Sequence, residues 1–65
     1  MDVKTLGRNI ARLRKKMGAG LRELSRKAGM SAASLSAIEK GESSPTIATL
    51  YKVLKALDTD FADFF

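Results

Sequence analysis

Apolar side chains recur along the chain at intervals of three and four residues, with polar and charged residues between them. This is the spacing of a helix with one buried face, so the pattern predicts five helices and no strand. The expected helical ranges are 3–17, 21–28, 32–40, a stretch beginning at Pro45, and 60–65. The apolar positions that define the helix faces are Leu6, Ile10, Leu13, Met17, Leu21, Leu24, Ala28, Leu35, Ile38, Ile47, Leu50, Val53, Leu54 and Leu57.

Hydroxyl side chains stand where three of these helices are expected to begin. Ser31 is placed to cap the third helix, and Thr59 can cap the last one. Ser44 stands directly before Pro45, which fits a capping residue followed by proline in the first helical turn.

The second and third helical patterns meet at Gly29, within the stretch 21–41. Because glycine has no side chain, it can take the left-handed conformation that ends one helix and turns the chain into the next. Ser25 lies one helical turn earlier, and its small side chain leaves room for a crossing helix that presents Leu35 and Ile38. The stretch therefore predicts a helix-turn-helix.

The length and composition of the chain limit the possible functions. A chain of 65 residues is expected to form one domain over 1–65, and it buries only about 60% of its unfolded surface, too little to enclose a deep pocket. It contains no His and no Cys, which removes the usual zinc ligands, thiolate chemistry and the commonest general base. We therefore expect no enzyme, no metal site and no cofactor.

Charged residues also interrupt every apolar stretch of the chain. No apolar run approaches the roughly 20 residues of a membrane span. The first 14 residues carry charges where a secretion signal needs an apolar stretch. The expected location is the cytoplasm, without membrane association.

The formal net charge of +5 is divided unevenly between the two parts of the chain. Residues 1–40 carry ten basic and three acidic side chains, a net charge of +7, whereas residues 41–65 carry two and four, a net charge of −2. Any single basic residue can simply lie on a solvated helix face without binding a partner. However, Lys4, Arg8, Arg12 and Lys16 stand four apart on one predicted helix, where like charges repel and phosphate groups would relieve the repulsion. A polyanion is the expected partner.

Short motifs spread over nearly the whole chain carry a family resemblance. They are Ile10-Ala-Arg-Leu13-Arg14, Glu23-Leu24-Ser25, Gly29-Met-Ser31, Leu35-Ser-Ala-Ile38-Glu39-Lys-Gly41, Pro45-Thr-Ile47, Ala56-Leu57 and Phe64-Phe65. Together they resemble the Cro and phage-repressor-like helix-turn-helix domains, the XRE family. The resemblance implies an all-α, compact five-helix bundle of the lambda-repressor-like type that binds double-stranded DNA.

Within that family, the sequence is most similar to the amino-terminal domains of regulators in which a small-molecule-sensing cupin barrel follows. No such barrel is present in these 65 residues. The resemblance therefore implies either a stand-alone repressor or a fragment of a larger regulator. A small-molecule effector is expected only if a further domain exists.

The resemblance also implies roles for individual residues. Helix 3, about Ala32–Lys40, would enter the major groove. Arg14 would pair with Glu39, mainly as a structural ion pair. The implied base-reading residues are Ala32, Ala33, Ser36, Ala37 and Lys40. The implied phosphate-binding residues are Leu21, Arg22, Ser31, Ser34, Ser43, Ser44 and Arg14, partly through free backbone amides at the start of helix 2 and over 40–44.

Two positions depart from the family pattern. The outward face of helix 3 carries alanines, whose methyl groups can contact a thymine methyl but form no hydrogen bond with a base. Helix 2 opens with Gly20 and Leu21 where relatives carry Thr or Ser and then Gln, so a side-chain contact with phosphate is lost. Base readout is expected to depend on Ser36, Lys40 and the shape of the DNA.

Two functions remain open from the sequence. The first is a sequence-specific transcriptional regulator, a repressor that binds a near-palindromic operator as a homodimer. The second is a protein-interaction or antitoxin-like module that keeps the fold with little base readout. In that case the aromatic cluster of Phe61, Phe64 and Phe65 would contact another chain, although at least one ring is expected in the core.

Overall fold

The computed structural model describes all of residues 1–65 and contains five α-helices and no strand. The helices are α1 (Val3–Lys16), α2 (Leu21–Lys27), α3 (Ala32–Glu39), α4 (Ile47–Ala56) and α5 (Phe61–Phe64). The predicted all-α, five-helix class is thus confirmed: the first three helices begin where predicted, and the other predicted ends differ by one or two residues. None of the helices has both the length and the apolar character needed to cross a membrane.

The core is built from apolar side chains of α1 to α4 and the residues that follow α2 and α4. Its nine members are Ile10, Leu24, Ala28, Leu35, Ile38, Leu50, Val53, Leu54 and Leu57. Seven partly buried side chains pack around them, namely Leu6, Leu13, Leu21, Met30, Ala56, Phe61 and Phe64. Periodicity therefore located most of the core correctly.

Two predicted core positions are wrong. Met17 lies beyond the last residue of α1 and its side chain is 44% exposed, because the chain leaves the helix at that point. Ile47 is the first residue of α4 and is 74% exposed. The first turn of α4 extends past the edge of the core, so a residue in the helical pattern of Leu50 and Val53 still faces solvent.

Four of the five helices begin at a residue whose side chain accepts a hydrogen bond from the first turn. Ser31 caps α3 as predicted, with its hydroxyl 3.0 Å from the amide nitrogen of Ser34. The predicted caps of α4 and α5 are wrong. Thr46, not Ser44, caps α4, and Asp60, not Thr59, caps α5. Pro45 therefore lies before the cap and outside α4, not in its first turn as predicted.

The turn between α2 and α3 has the predicted glycine conformation. Gly29 has a φ of 70°, in the left-handed region that other residues rarely adopt. The amide of Met30 donates to the carbonyl of Ser25 at 2.9 Å, which closes the end of α2. Ser25 is itself 3% exposed, and its hydroxyl donates to the Arg22 carbonyl at 2.9 Å. The small buried serine thus keeps its polar group satisfied at the helix crossing.

Helix α1 packs across the carboxyl end of α3 at Gly7, a contact that the apolar pattern did not indicate. A Cβ atom at Gly7 would collide with the carbonyl oxygen of Ile38 and would lie 2.7 Å from that of Glu39. Because such distances are far inside van der Waals contact, only glycine fits at this crossing. The contact fixes where α3 lies relative to α1.

Candidate nucleic-acid interface

Helix α3 presents one face to solvent and the opposite face to the core. Leu35 and Ile38 are buried. On the outer side, Ala33 and Lys40 are exposed, while the remaining predicted base-reading residues, Ala32, Ser36 and Ala37, are half-buried. Lys40 is the residue at which α3 ends rather than part of the helix. All five predicted base-reading residues therefore lie on or beside the same open side of α3, at spacings of one helical turn.

A groove runs between α3 and the segment that leads into α4. We call it the hydroxyl groove, because five hydroxyl-bearing residues line it: Ser34, Ser43, Ser44, Thr46 and Thr49. Ala33 and Ala37 of α3 form part of its wall. The structure thus brings three predicted phosphate-binding serines next to two predicted base-reading alanines. Thr46 and Thr49 were missed from the sequence. The predicted start of α4 is Pro45, with Ser44 as the cap, so these two hydroxyl residues were assigned no role.

The hydroxyl groups in this groove are not equally free to donate. The Ser31 hydroxyl accepts from the Ser34 amide, and a second hydrogen bond of 2.8 Å joins the Ser31 and Ser34 hydroxyls. This bond uses one of the two hydroxyl protons, so the pair keeps the other for an outside acceptor. Thr46 and Thr49 repeat this arrangement, with a hydroxyl-to-hydroxyl distance of 3.0 Å. Each of the two pairs therefore has one hydroxyl proton for a bound anion, whereas Ser43 and Ser44, whose hydroxyls bond to no group of the protein, each have their own.

The expectation of free backbone amides over 40–44 is mostly wrong. The amides of Lys40 and Gly41 donate to the carbonyls of Ser36 and Ile38, and those of Glu42 and Ser43 both donate to the carbonyl of Ala37. The chain folds back onto the end of α3, and carbonyl groups of α3 accept the hydrogen bonds of these four amides. Only Ser44 of this stretch has an amide without a partner in the protein.

The start of α2 differs from the loop after α3. Gly20 precedes the helix and has no side chain that could cap it. As a result, the amides of Leu21 and Arg22 donate to no group of the protein, as the sequence predicts. The side chain of Leu21 is half-buried and that of Arg22 is exposed.

The ion pair expected between Arg14 and Glu39 is present and bidentate. Arg14 Nε lies 2.7 Å from Glu39 Oε2, and Nη2 lies 2.9 Å from Oε1. Nη1 also donates to the carbonyl oxygen of Ala19 at 3.1 Å. The side chains are only 13% and 9% exposed, and the hydrogen bond to Glu39 raises the pKa of Arg14 above its ordinary value. The pair joins α1, the link to α2 and the last turn of α3.

Comparison with known families decides the class of this fold. The model of the helix-turn-helix family HTH_3 matches residues 10–64, which include α2, the Gly29 turn and α3. The chain belongs to the HTH_3 family.

Two relatives of this HTH_3 chain are described as helix-turn-helix type transcriptional regulators. SutR of Escherichia coli K12 is 41% identical over 59 residues, covering 91% of this chain and 33% of SutR. The uncharacterized regulator y4dJ of Sinorhizobium fredii is 41% identical over 58 residues, covering 88% of this chain and 75% of y4dJ. The chain thus spans about a third of SutR. These relatives are regulators rather than enzymes.

Solved structures include close relatives of this HTH_3 fold. The clp gene regulator ClgR from C. glutamicum superposes with a TM-score of 0.90 at 31% identity, over 94% of this chain and 78% of that one. The five helices and their arrangement are therefore those of a known regulator, as the sequence resemblance implies.

The carboxyl end of the HTH_3 chain carries an aromatic cluster. Phe61 and Phe64 are half-buried against the core, whereas Phe65 is 61% exposed. Phe61 stacks between Tyr51 and Phe65, with ring centroids 6.5 Å and 6.3 Å apart. The rings therefore join the core to the outer surface, so part of the cluster serves the fold and part faces solvent.

Proposed function

We propose that this chain is a helix-turn-helix domain over 1–65 that binds double-stranded DNA sequence-specifically and serves a transcriptional regulator. Helix α3 enters the major groove. The observation that carries the proposal is that the open face of α3, the hydroxyl groove and the free amides of Leu21 and Arg22 belong to one helix-turn-helix with a basic amino-terminal part. The regulators SutR and y4dJ, both HTH-type, support it as relatives.

Five residues on the open face of α3 contact the bases. The methyl groups of Ala32, Ala33 and Ala37 contact thymine methyl groups, which favours thymine without fixing it. Ser36 and Lys40 supply the hydrogen bonds to base edges. Because a single serine and a single lysine discriminate less than two bidentate contacts, the shape and deformability of the DNA carry the remaining selectivity.

Groups on both sides of α3 bind the phosphates of the DNA backbone. On one side, the free amides of Leu21 and Arg22 face the backbone. On the other side, the hydroxyl groove offers the hydroxyl groups of Ser34, Ser43 and Ser44. Ser31 acts mainly as the cap of α3. Arg14 keeps two N–H groups beyond those bound to Glu39 and Ala19, and we assign it a second role at a phosphate.

The dimensions of the molecule support two copies on one operator. The fold measures 25 × 23 × 21 Å, less than the roughly 34 Å of one DNA turn. Two copies therefore fit side by side on half-sites one turn apart, which is the arrangement of a near-palindromic operator. Such a homodimer would cover a promoter and act as a repressor in the cytoplasm. A small-molecule effector belongs to this proposal only if a further domain exists.

The experiment that tests DNA binding is selection of duplexes from a random library by the purified protein at physiological salt. A near-palindromic motif, rich in thymine where the alanines point, is the expected result. The double variant Ser36→Glu, Lys40→Glu is expected to lose binding to the recovered motif. The control Lys52→Glu, Lys55→Glu removes more positive charge on the outer side of α4 and is expected to keep it. Equal binding by both variants would refute placement of α3 in the groove.

A second function, docking of another protein chain, is favoured by the exposed rings of Phe65 and Tyr51, which lie on either side of Phe61. The test is the variant Phe65→Ser in sedimentation and in DNA binding. A protein-interaction module would lose self-association or its partner and show no selected DNA motif. A wild type that selects a motif and stays monomeric away from DNA would contradict it.

A further inference from the structure

Helix α1 carries a row of basic side chains on the face opposite the core. We call this row the basic ridge, and it consists of Lys4, Arg8, Arg12, Lys15 and Lys16. All five side chains are exposed. Leu6, Ile10 and Leu13 occupy the other side of the same helix and pack in or against the core. The ridge therefore concentrates five positive charges on one side of a single 14-residue helix.

No carboxylate forms an ion pair with the basic ridge, although Asp2, the cap of α1, interacts electrostatically with Arg8. The Arg14–Glu39 pair is the one ion pair of the chain with a separation below 4.0 Å, and it lies on a different side of α1. A shallow depression on the ridge is lined by Arg8, Asn9, Ala11, Arg12 and Lys15. This lining contains three cations and no anion, so it is a surface ready to accept a negatively charged partner.

Helix stability explains only part of this charge. Lys15 and Lys16 stand in the last turn of α1, where the helix dipole favours positive charge. Lys4 stands in the first turn, where the dipole opposes positive charge and where the helix itself contains no acidic residue, Asp2 being the cap that precedes it. Lys4, Arg8 and Arg12 also repel one another at a spacing of four residues. Helix stability therefore does not explain why these three charges stand together.

The ridge begins beside the end of α3. Lys4 lies against Gly41, so closely that a Cβ atom on Gly41 would come within 2.6 Å of Lys4 Cγ. Gly41 follows Lys40, the last of the base-reading residues. From Lys4 to Lys15 the ridge extends about 17 Å at the helical rise of 1.5 Å per residue, a length of about five base pairs. Positive charge thus continues from α3 along the whole of α1.

We propose that the basic ridge is a second, sequence-independent binding surface for the phosphodiester backbone of DNA. It extends the contact made by α3 and rests on the proposed function for the position of the duplex. The same chemistry fits two sources of phosphate, the flank of the duplex that α3 reads or a separate duplex. The ridge supplies affinity and strong salt dependence, whereas α3 supplies base selectivity.

The test uses two triple variants with the same change of charge. The ridge variant is Arg8→Gln, Arg12→Gln, Lys15→Gln. The control variant is Lys27→Gln, Lys52→Gln, Lys55→Gln, whose three lysines line a separate groove between α2 and α4. Each lowers the formal net charge from +5 by three units. All six side chains are exposed, and thermal unfolding measured by circular dichroism checks that both variants fold.

The readout is the dependence of duplex affinity on salt, measured with random-sequence DNA of about 10 and about 30 base pairs. Each phosphate contact contributes about 0.9 to the slope of log affinity against log salt, so loss of three lowers the slope by about 2.7. Between about 50 and about 200 mM salt, this slope difference changes affinity by about 40-fold. The ridge variant is expected to have a slope lower by about 2.7, and the control variant is expected to keep the wild-type slope.

The length of the duplex distinguishes the two sources of phosphate. If the ridge binds the flank of the same duplex, the slope difference appears with the long DNA and disappears with the short one. If it binds a separate duplex, the difference persists at both lengths, and two differently fluorescent duplexes show energy transfer in the presence of wild-type protein only. Either result supports the ridge as a backbone-binding surface.

Three results would overturn this inference. They are a ridge variant with the wild-type slope at both lengths, a control variant that loses as much as the ridge variant, and a wild type that binds no duplex. The last of these would also refute the proposed function. Conversely, if Ser36→Glu, Lys40→Glu leaves DNA binding intact while the ridge variant weakens it, the ridge is supported and the role of α3 is refuted.

Discussion

Gly7 of α1 lies directly against the carbonyl oxygen of Ile38 in α3. This contact brings two helix backbones together without an intervening side chain. It holds α1 across the end of the helix that carries the base-reading residues. The adjacent Arg14–Glu39 pair and the Lys4–Gly41 contact join the same two regions. Together these contacts make α1 a support for α3 and explain why a residue of low helix propensity is present inside α1.

Gly7→Ala is therefore expected to destabilise the fold by about 1–3 kcal/mol or more, because the new methyl group would overlap backbone atoms that cannot move independently. Urea unfolding measures this change. The control is Gly20→Ala, where a Cβ atom meets nothing within 4 Å and φ is −77°, so the effect should stay within about 1 kcal/mol. Equal losses in the two variants would contradict the close approach of α1 to α3.

The Arg14–Glu39 pair is expected to be costly to break from one side only. Arg14→Leu leaves the nearly buried Glu39 carboxylate unpaired and should lower the free energy of unfolding by about 3 kcal/mol. The double variant Arg14→Leu, Glu39→Leu removes both charges and should recover much of that loss, because no unpaired charge remains. Thermal or urea unfolding of the single and double variants decides the matter. Additive losses would mean that the two charges are independent.

The start of α4 gives a matched test of two neighbouring hydroxyl residues. Thr46→Ala removes the oxygen that accepts from the Thr49 amide at 3.1 Å and should cost about 1 kcal/mol of unfolding free energy. Ser44→Ala removes an exposed hydroxyl that caps no helix, so it should change stability by less than about 0.5 kcal/mol. The reverse order of effects would restore Ser44 as the cap.

The start of α1 should make stability depend on pH through Asp2. Its side chain accepts from the Thr5 amide at 2.7 Å, and this hydrogen bond lowers the pKa of the carboxyl below its ordinary value of 3.8. The ionised form is thus favoured in the folded state. The stability that the ionised Asp2 cap contributes is fully present above pH 3.8 and is lost as the pH falls through the lower pKa of the folded state.

Asp2→Asn is the matched variant, because asparagine caps a helix about as well and does not titrate. The stability of the wild type relative to Asp2→Asn is expected to be constant near neutral pH and to decrease when the pH falls below 3.8. Urea unfolding of both proteins over this pH range measures the difference. Parallel curves for the two proteins down to the lowest pH would show that the Asp2 cap carries no charge-dependent stability.

Much of the fold could be predicted because its signals are local. The periodicity of Leu24, Leu35 and Leu54 indicates buried helix faces, and all three side chains are buried. The Gly29 conformation and the Ser31 cap also depend on residues within a few positions, so the sequence predicts both. Periodicity fails at Met17 and Ile47, since a helix continues the pattern beyond the part of it that meets the core.

The candidate site divides in the same way. The amino-acid sequence by itself determined the helix-turn-helix, the faces of α3 and the uneven distribution of charge, because each follows from residue type and helical spacing. Only the tertiary structure decided that Gly7 lies on Ile38, that Thr46 and Thr49 join the hydroxyl groove, and that most amides over 40–44 are already bonded. These features depend on how the chain folds back between helices. That path is set by contacts between residues distant in sequence and by backbone amides that form hydrogen bonds with nearby carbonyl groups.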